Sequence, residues 1–380
     1  MIAVVILNSI LCVAAATIGV SLLLSQQDTL EAREQANTGR VVPVGVNVIY
    51  SDRFNRDAYY FTSADEVAAT LAEYDIMSRA GHWQVHPWTG LTMRPFTGAY
   101  LNIDQDGNRL GLLPPSEQAG KPPFIVWAFG GSTLFGWGLG DAYTIPAFLQ
   151  QELQNRLPDR QVIVRNFAVP IYTSSQELAL FAANLRLSRP DAAFFFDGVN
   201  DVWFTVNQFT QTALVDPLAA VWEQHIAEIT HPTEGPWVQI NDSFPILQLA
   251  RQMGVDLRVQ VDSAIPAYAM QGIYAGDRSV QQMVAVENYT ANVTMIRSIS
   301  ESVGVQTLFF LQPYLMDTVD FPVFRDAIVA QELPNFVDLS DLFEQGLPEN
   351  QRILIDDFHY SDAASKVIAA RIADFILGDN

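Results

Sequence analysis

"FIVWAFGGSTLFG", residues 124–136, runs through six apolar residues and then breaks on two glycines and a serine. A continuous apolar run ended by glycine reads as a strand buried on both faces, the pattern of a parallel sheet covered by helices. The break is where such a strand gives way to a helix. Ser132, at that point, is either the cap of the helix, a position serine favours, or a nucleophile held at the strand's carboxyl end.

Similar runs recur at 162–167 ("VIVRNF"), 192–196 ("AAFFF"), 305–311 ("VQTLFFL") and 336–339 ("FVDL"). Helical spacings lie between and after them. Ile145, Phe148, Glu152 and Leu157 share one stretch, and Leu178, Phe181 and Leu185 another. Ala364, Val367, Ile368, Ile372, Phe375 and Ile376 share one face of the last. Strands alternating with helices predict an α/β domain over residues 121–380.

Residues 26–120 form an accessory region, opening on a polar linker at 26–42. A helix is expected in "SADEVAATLAEYDIMSRAG", where Ser63 and Glu66 have capping-box spacing and Gly81 can end it. Residues 86–115 mix short apolar pieces with turn signals such as Asp106-Gly107 and read as a small β-rich segment. The block at about 202–285 carries Pro217, Pro232, Pro236, Pro245 and Pro266 and is expected to be an insertion, a lid or an interface.

Ligands of open parallel sheets bind beyond the carboxyl ends of the strands, and the polar residues of this chain gather there. The first strand ends in Gly130-Gly131-Ser132 and the second runs into "NFAVPIYTSSQE" from Asn166. The third ends in "DGVND", Asp197 to Asp201, and "IDDFHYSDAA" puts His359 just ahead of the final helix. Taken singly, Asn200-Asp201 reads as a turn and His359 as a residue that caps or orients the last helix. Four stretches meeting at one edge is a pattern that scattered caps rarely give.

In order and spacing these blocks resemble the SGNH, or GDSL-type, hydrolases over about residues 85–375, the insertion excepted. "GGST" matches the block of the nucleophilic serine, Gly198-Val199-Asn200-Asp201 the Gly-x-Asn-Asp block, and Asp356-Asp357-Phe358-His359 the Asp-x-x-His block. "HPWTG…NIDQDGNR" resembles the segment ahead of the serine in membrane-attached bacterial members. The resemblance implies a three-layer, flavodoxin-like α/β fold on a five-stranded parallel sheet, the SGNH hydrolase fold. It also implies catalysis by Ser132, His359 and Asp356. A serine hydroxyl is a poor nucleophile until an imidazole takes its proton, and a carboxylate fixes the tautomer of that imidazole. Asp357 is the adjacent competitor for the carboxylate role; the motif favours Asp356.

The oxyanion donors implied are the N–H groups of Ser132 and Ile171 and the Asn200 amide, with Gly131, Gly198 and Asp201 supporting them. The second block departs from the family, placing Ala168 and Ile171 where glycines are usual. Only a backbone N–H is needed there. If the position requires positive φ, a β-branched residue costs about 1–2 kcal/mol.

Other readings fit less well. "GWGLG" has no acidic residue at the dinucleotide-fold spacing, no Gly-Lys-Ser/Thr follows, and Leu134 breaks Gly-x-Ser-x-Gly. His82 and His86 stand four apart, but Gly81 and Pro87 bracket them, so no metal site and no cofactor are expected. The sequons at Asn241, Asn288 and Asn292 are read as chance.

A net charge of −21, with Lys121 and Lys366 the only lysines, argues against nucleic acid as a partner. Cys12 is the single cysteine, so no disulfide forms within one chain. Met1 to Ser25 carry no charged side chain, and about 20 apolar residues suffice to span a bilayer. With no basic n-region, an uncleaved anchor is preferred over a cleaved signal or a lipoprotein. The domain is then expected on the periplasmic or extracellular side.

The resemblance implies ester or O-acyl substrates, foremost O-acetyl groups on carbohydrate. Two alternatives stay open: an O-acyltransferase using the same residues, and a non-catalytic subunit of a membrane complex with membrane-protein partners.

Overall fold

In the computed structural model of the chain, residues 53–79, 82–206, 278–315 and 319–378 are described. They belong to one unit, Ile49–Asn380. Helix α1 (Ala64–Arg79) starts where the capping residues stand: Glu66 N–H donates to Ser63 Oγ at 3.3 Å and Val67 N–H to Ser63 O at 2.9 Å. Gly81, its expected stop, lies outside the described residues.

The β-rich segment consists of two antiparallel pairs. β1 (Trp83–His86) pairs with β2 (Gly90–Met93), and β3 (Phe96–Thr97) with β4 (Asn102–Ile103). His86 therefore closes a strand. Its Nδ1 meets Thr89 Oγ1 at 2.8 Å.

The five apolar runs become five parallel strands: β5 (Pro123–Gly130), β6 (Gln161–Asn166), β7 (Ala192–Asp197), β8 (Gln306–Leu311) and β9 (Phe336–Asp338). Their order is β6-β5-β7-β8-β9. Counted along the chain that is 2-1-3-4-5, the flavodoxin-like order, whose switch point lies between β5 and β7. Helices α2 (Ser132–Phe135), α3 (Ile145–Arg156), α4 (Ser174–Leu185), α5 (Val199–Phe204), α6 (Arg278–Val303), α7 (Asp320–Val329) and α8 (Asp362–Leu377) fill the connections. α3 packs on α8, and α6 packs on α4 and α7.

β7 shows why its sequence does not alternate. Phe195 stacks between Phe129 (4.9 Å) and Phe309 (5.3 Å), with Phe181 of α4 edge-on at 5.5 Å. Phe194 meets Phe310, which meets Phe375 of α8 at 5.7 Å. Both faces of the strand are thus buried under helices, and aromatic pairs of this kind add about 0.5–1.5 kcal/mol each beyond area burial.

Arg109 joins the β-rich segment to the sheet. It bridges Ile103 and Asn166 through its backbone. Its fully buried guanidinium binds Asp141, Tyr74 Oη and the carbonyls of Phe135, Gly136 and Leu139.

Only the two ends of the block at about 202–285, expected to be an insertion, fall among the described residues. Residues 202–204 belong to α5, and 278–285 open α6, which buries Val284, Ala285, Tyr289, Val293 and Ile296 at helical spacing. Residues 207–277, with the prolines cited above, lie outside the described residues, as do Met1–Ser25 and the 26–42 linker. Among the described residues no helix is long and apolar enough to cross a membrane.

Candidate active site

The carboxyl edge of the sheet collects the polar residues picked out by position. β5 ends at Gly130; Gly131 caps α2, and Ser132 is its first helical residue with no capping hydrogen bond from the cap side chain. The cap of α2 is thus Gly131, not Ser132. As the first residue of the turn, Ser132 has an N–H with no intrahelical acceptor.

Asn200 reaches the same place from β7. Gly198, at φ 99°, turns the chain out of that strand, and Leu311 Cδ1 would lie 2.4 Å from a Cβ there, so only glycine fits. Asn200 Nδ2 donates to Tyr172 O at 2.7 Å. A Cβ on Gly131 would sit 2.5 Å from that nitrogen and 3.5 Å from Tyr172 O. The serine turn, the second block and the Asn200 amide are therefore in contact.

Ile171 lies in this contact zone with φ 67°, the left-handed region that β-branched residues avoid. The departure from glycine thus falls at a position that does require positive φ.

Asp356 and His359 form a closed turn. Asp356 Oδ1 accepts from the N–H groups of Phe358 (2.8 Å) and His359 (2.6 Å), while Oδ2 meets His359 Nδ1 at 2.7 Å. Burial alone would raise the Asp356 pKa; His359 and these hydrogen bonds outweigh it and hold the carboxyl below its ordinary range. Asp357 is exposed. With Nδ1 engaged, the imidazole keeps Nε2 for other partners. The last helix is capped by Ser361 Oγ, which accepts from Ala364 N–H at 3.1 Å, so His359 does not cap it.

The exit of β8 anchors the two halves of the site on consecutive residues. Thr133 Oγ1 donates to Gln312 Oε1 at 2.7 Å, and Tyr360 Oη donates to Pro313 O. The residues that follow Ser132 and His359 are thus fixed to the same two-residue step. Phe358 meets Trp203 of α5 at 6.4 Å.

Behind Asn200 lies a buried acidic cluster that the sequence did not announce. Asp201 accepts from Ser174 Oγ and N–H, and Asn292 Nδ2 donates to Ser174 Oγ at 2.8 Å. Tyr289 Oη donates to Asp197 Oδ1 at 2.7 Å. Neither Glu177 carboxyl oxygen has a donor among the described residues, and buried beside Asp197 the two carboxyls form a pair that favours holding a proton. Burial, then the charges of Asp197 and Asp201, push Glu177 well up. Burial and Asp201 push Asp197 up to about 8, and burial raises Asp201 to about 6. The only hint in the sequence is a carboxylate closing the run "AAFFFD".

No curated protein matches the chain. Among solved structures, it is similar to the esterase EstA from Pseudoalteromonas sp. (11% identity, 67% of this chain and 99% of that one, TM-score 0.39). It is also similar to a catalytic mutant of an acetylxylan esterase from Geobacillus stearothermophilus (13%, 67% and 95%, 0.37). A two-domain esterase active on acetylated mannans matches at 14% over 69% of this chain and 51% of that one, TM-score 0.39. The model of the GDSL-like Lipase/Acylhydrolase family matches residues 128–367, from the end of β5 into α8, and the chain belongs to that family.

Proposed function

We propose that the protein is a serine ester hydrolase working through an acyl-enzyme on Ser132. His359 Nε2 takes the Ser132 hydroxyl proton as Oγ attacks the ester carbonyl. The tetrahedral oxyanion is met by the N–H groups of Ser132 and Ile171 and by the second N–H of the Asn200 amide. Collapse expels the alcohol with the proton from His359, leaving an acyl-serine. Water, deprotonated by the same imidazole, releases the acid. Asp356 holds the tautomer throughout.

The observation that carries this reading is the Asp356–His359 turn, 2.7 Å across, tied through Tyr360 to the residue next to the one that holds Thr133. For substrate we propose O-acetyl esters of neutral carbohydrate. A net charge of −21 disfavours anionic polymers and phospholipid, and the Phe358–Trp203 pair beside His359 offers aromatic faces for a sugar ring. We further propose that Met1–Ser25 tether the enzyme to a membrane with this domain outside the cytoplasm, which extraction and protease-protection assays test.

The test of function is turnover of aryl acetates and acetylated oligosaccharides by wild type and Ser132→Ala, with fluorophosphonate labelling of the serine. Equal rates in both proteins end the hydrolase reading. Acyl transfer to a sugar in preference to water makes it a transferase. Absent labelling, with stable membrane-protein partners, makes it a scaffold.

A further inference from the structure

Tyr172 is bound at both ends. Its ring is buried, and its hydroxyl donates to Leu91 O at 2.6 Å and shares a hydrogen bond with Thr89 Oγ1 at 2.5 Å. Its carbonyl accepts from Asn200 Nδ2. The β1–β2 hairpin, which supplies Thr89 and Leu91, is itself held to the end of α4 by Arg186 over the Trp88 ring, 5.7 Å from its centroid. Between the serine turn and this anchor stands Ile171 in left-handed backbone. Such a conformation persists only where its surroundings over-determine it. The tie through Tyr172 is what holds it: if Ile171 relaxed to negative φ, the Tyr172 carbonyl would swing away, and Asn200 with it.

We propose that Tyr172, held by Thr89 of the β1–β2 hairpin, is a positioning residue for the Asn200 amide, which makes the hairpin part of the oxyanion-binding machinery. The proposal rests on the hydrolase reading above. It explains how this chain keeps a β-branched residue in left-handed backbone.

The experiment compares full-length wild type with Tyr172→Phe, Thr89→Ala and Thr89→Ser on an aryl acetate, together with the Asn200 side-chain amide resonance by NMR. Tyr172→Phe is expected to lower kcat about tenfold or more, short of the hundredfold or greater loss of a whole donor, and Thr89→Ala, which leaves the bond to Leu91 O, by less but at least about threefold, with KM within about twofold in both. Thr89→Ser is expected to restore kcat. The double variant is expected to be no worse than the weaker single one, because one tie is cut twice. The Asn200 resonance shifts in both damaging variants. Unchanged kcat, a rise in KM alone, or failure of the serine to rescue overturns the proposal. If Tyr172→Phe does not fold, the two Thr89 variants decide. If wild type turns over no ester, the hydrolase reading has failed, and the Asn200 resonance alone judges the positioning.

Discussion

Gly131 and Asn200 stand so close that a methyl group on residue 131 would lie 2.5 Å from Asn200 Nδ2. The glycine before the serine therefore makes room for the amide. Gly131→Ala is expected to displace Asn200 and lower kcat by about 10²–10³, the usual effect of losing one oxyanion donor. Asn200→Ala should match it, and the double variant should add little. Independent, multiplying losses in a kinetic cycle would show that the two do not act together.

The two adjacent carboxylates should separate cleanly. Asp356→Asn leaves His359 without its tautomer-fixing partner, and kcat is expected to drop by about 10³–10⁴. Asp357→Asn, at an exposed position, should leave kcat within about twofold. Comparable losses in both would reopen the assignment.

Ile171→Gly should be tolerated. Relief of the left-handed conformation recovers about 1–2 kcal/mol, and the added unfolded-state freedom of glycine removes about 0.5–1 kcal/mol. With the loss of a half-buried side chain offsetting the remainder, urea stability is expected to stay within about 1 kcal/mol, with kcat within about threefold. A tenfold loss of kcat would mean that the side chain itself acts in the site.

The Asp197 carboxyl has a folded pKa pushed up to about 8, far above its ordinary value. The folded state thus holds a proton that the unfolded chain releases. Stability from this group is complete below about pH 4 and drains away as pH rises towards 8. Asp197→Asn puts an amide beside Glu177 and removes that loss. The variant is expected to match wild type near pH 4 and to exceed it by a few kcal/mol, at about 1.4 kcal/mol per pKa unit, near pH 8. Equal unfolding midpoints at both pH values would sink this account.

The strands were legible because residues such as Phe194 and Phe195 face opposite covered sides of the sheet, which forces continuous apolar runs. Ser132, Asn200 and His359 could be picked out as candidates because strand ends are where such sheets do chemistry. Asp356 and Asp357 are alike by type; the motif favours Asp356, and the turn pairs Asp356 with His359 while Asp357 is exposed. Residues 278–285, at the end of the proline-rich block, open α6, where Gln281 is polar yet buried. Asn292, in a sequon, is spent on Ser174. Tyr172–Thr89 and Glu177–Asp197 pair residues distant in the chain, and such partnerships leave no local pattern to read.

Composition invites a cut before Lys121, where the apolar runs begin. Arg109 argues against making it. Three carbonyls just beyond Ser132 accept hydrogen bonds from that one side chain, and Tyr74 Oη, also ahead of the cut, donates to two of them. A fragment that starts at the first sheet strand would lose this support beneath the turn that carries Ser132. Anyone transplanting or shortening this enzyme must carry the preceding segment along, because the two are one unit of manufacture.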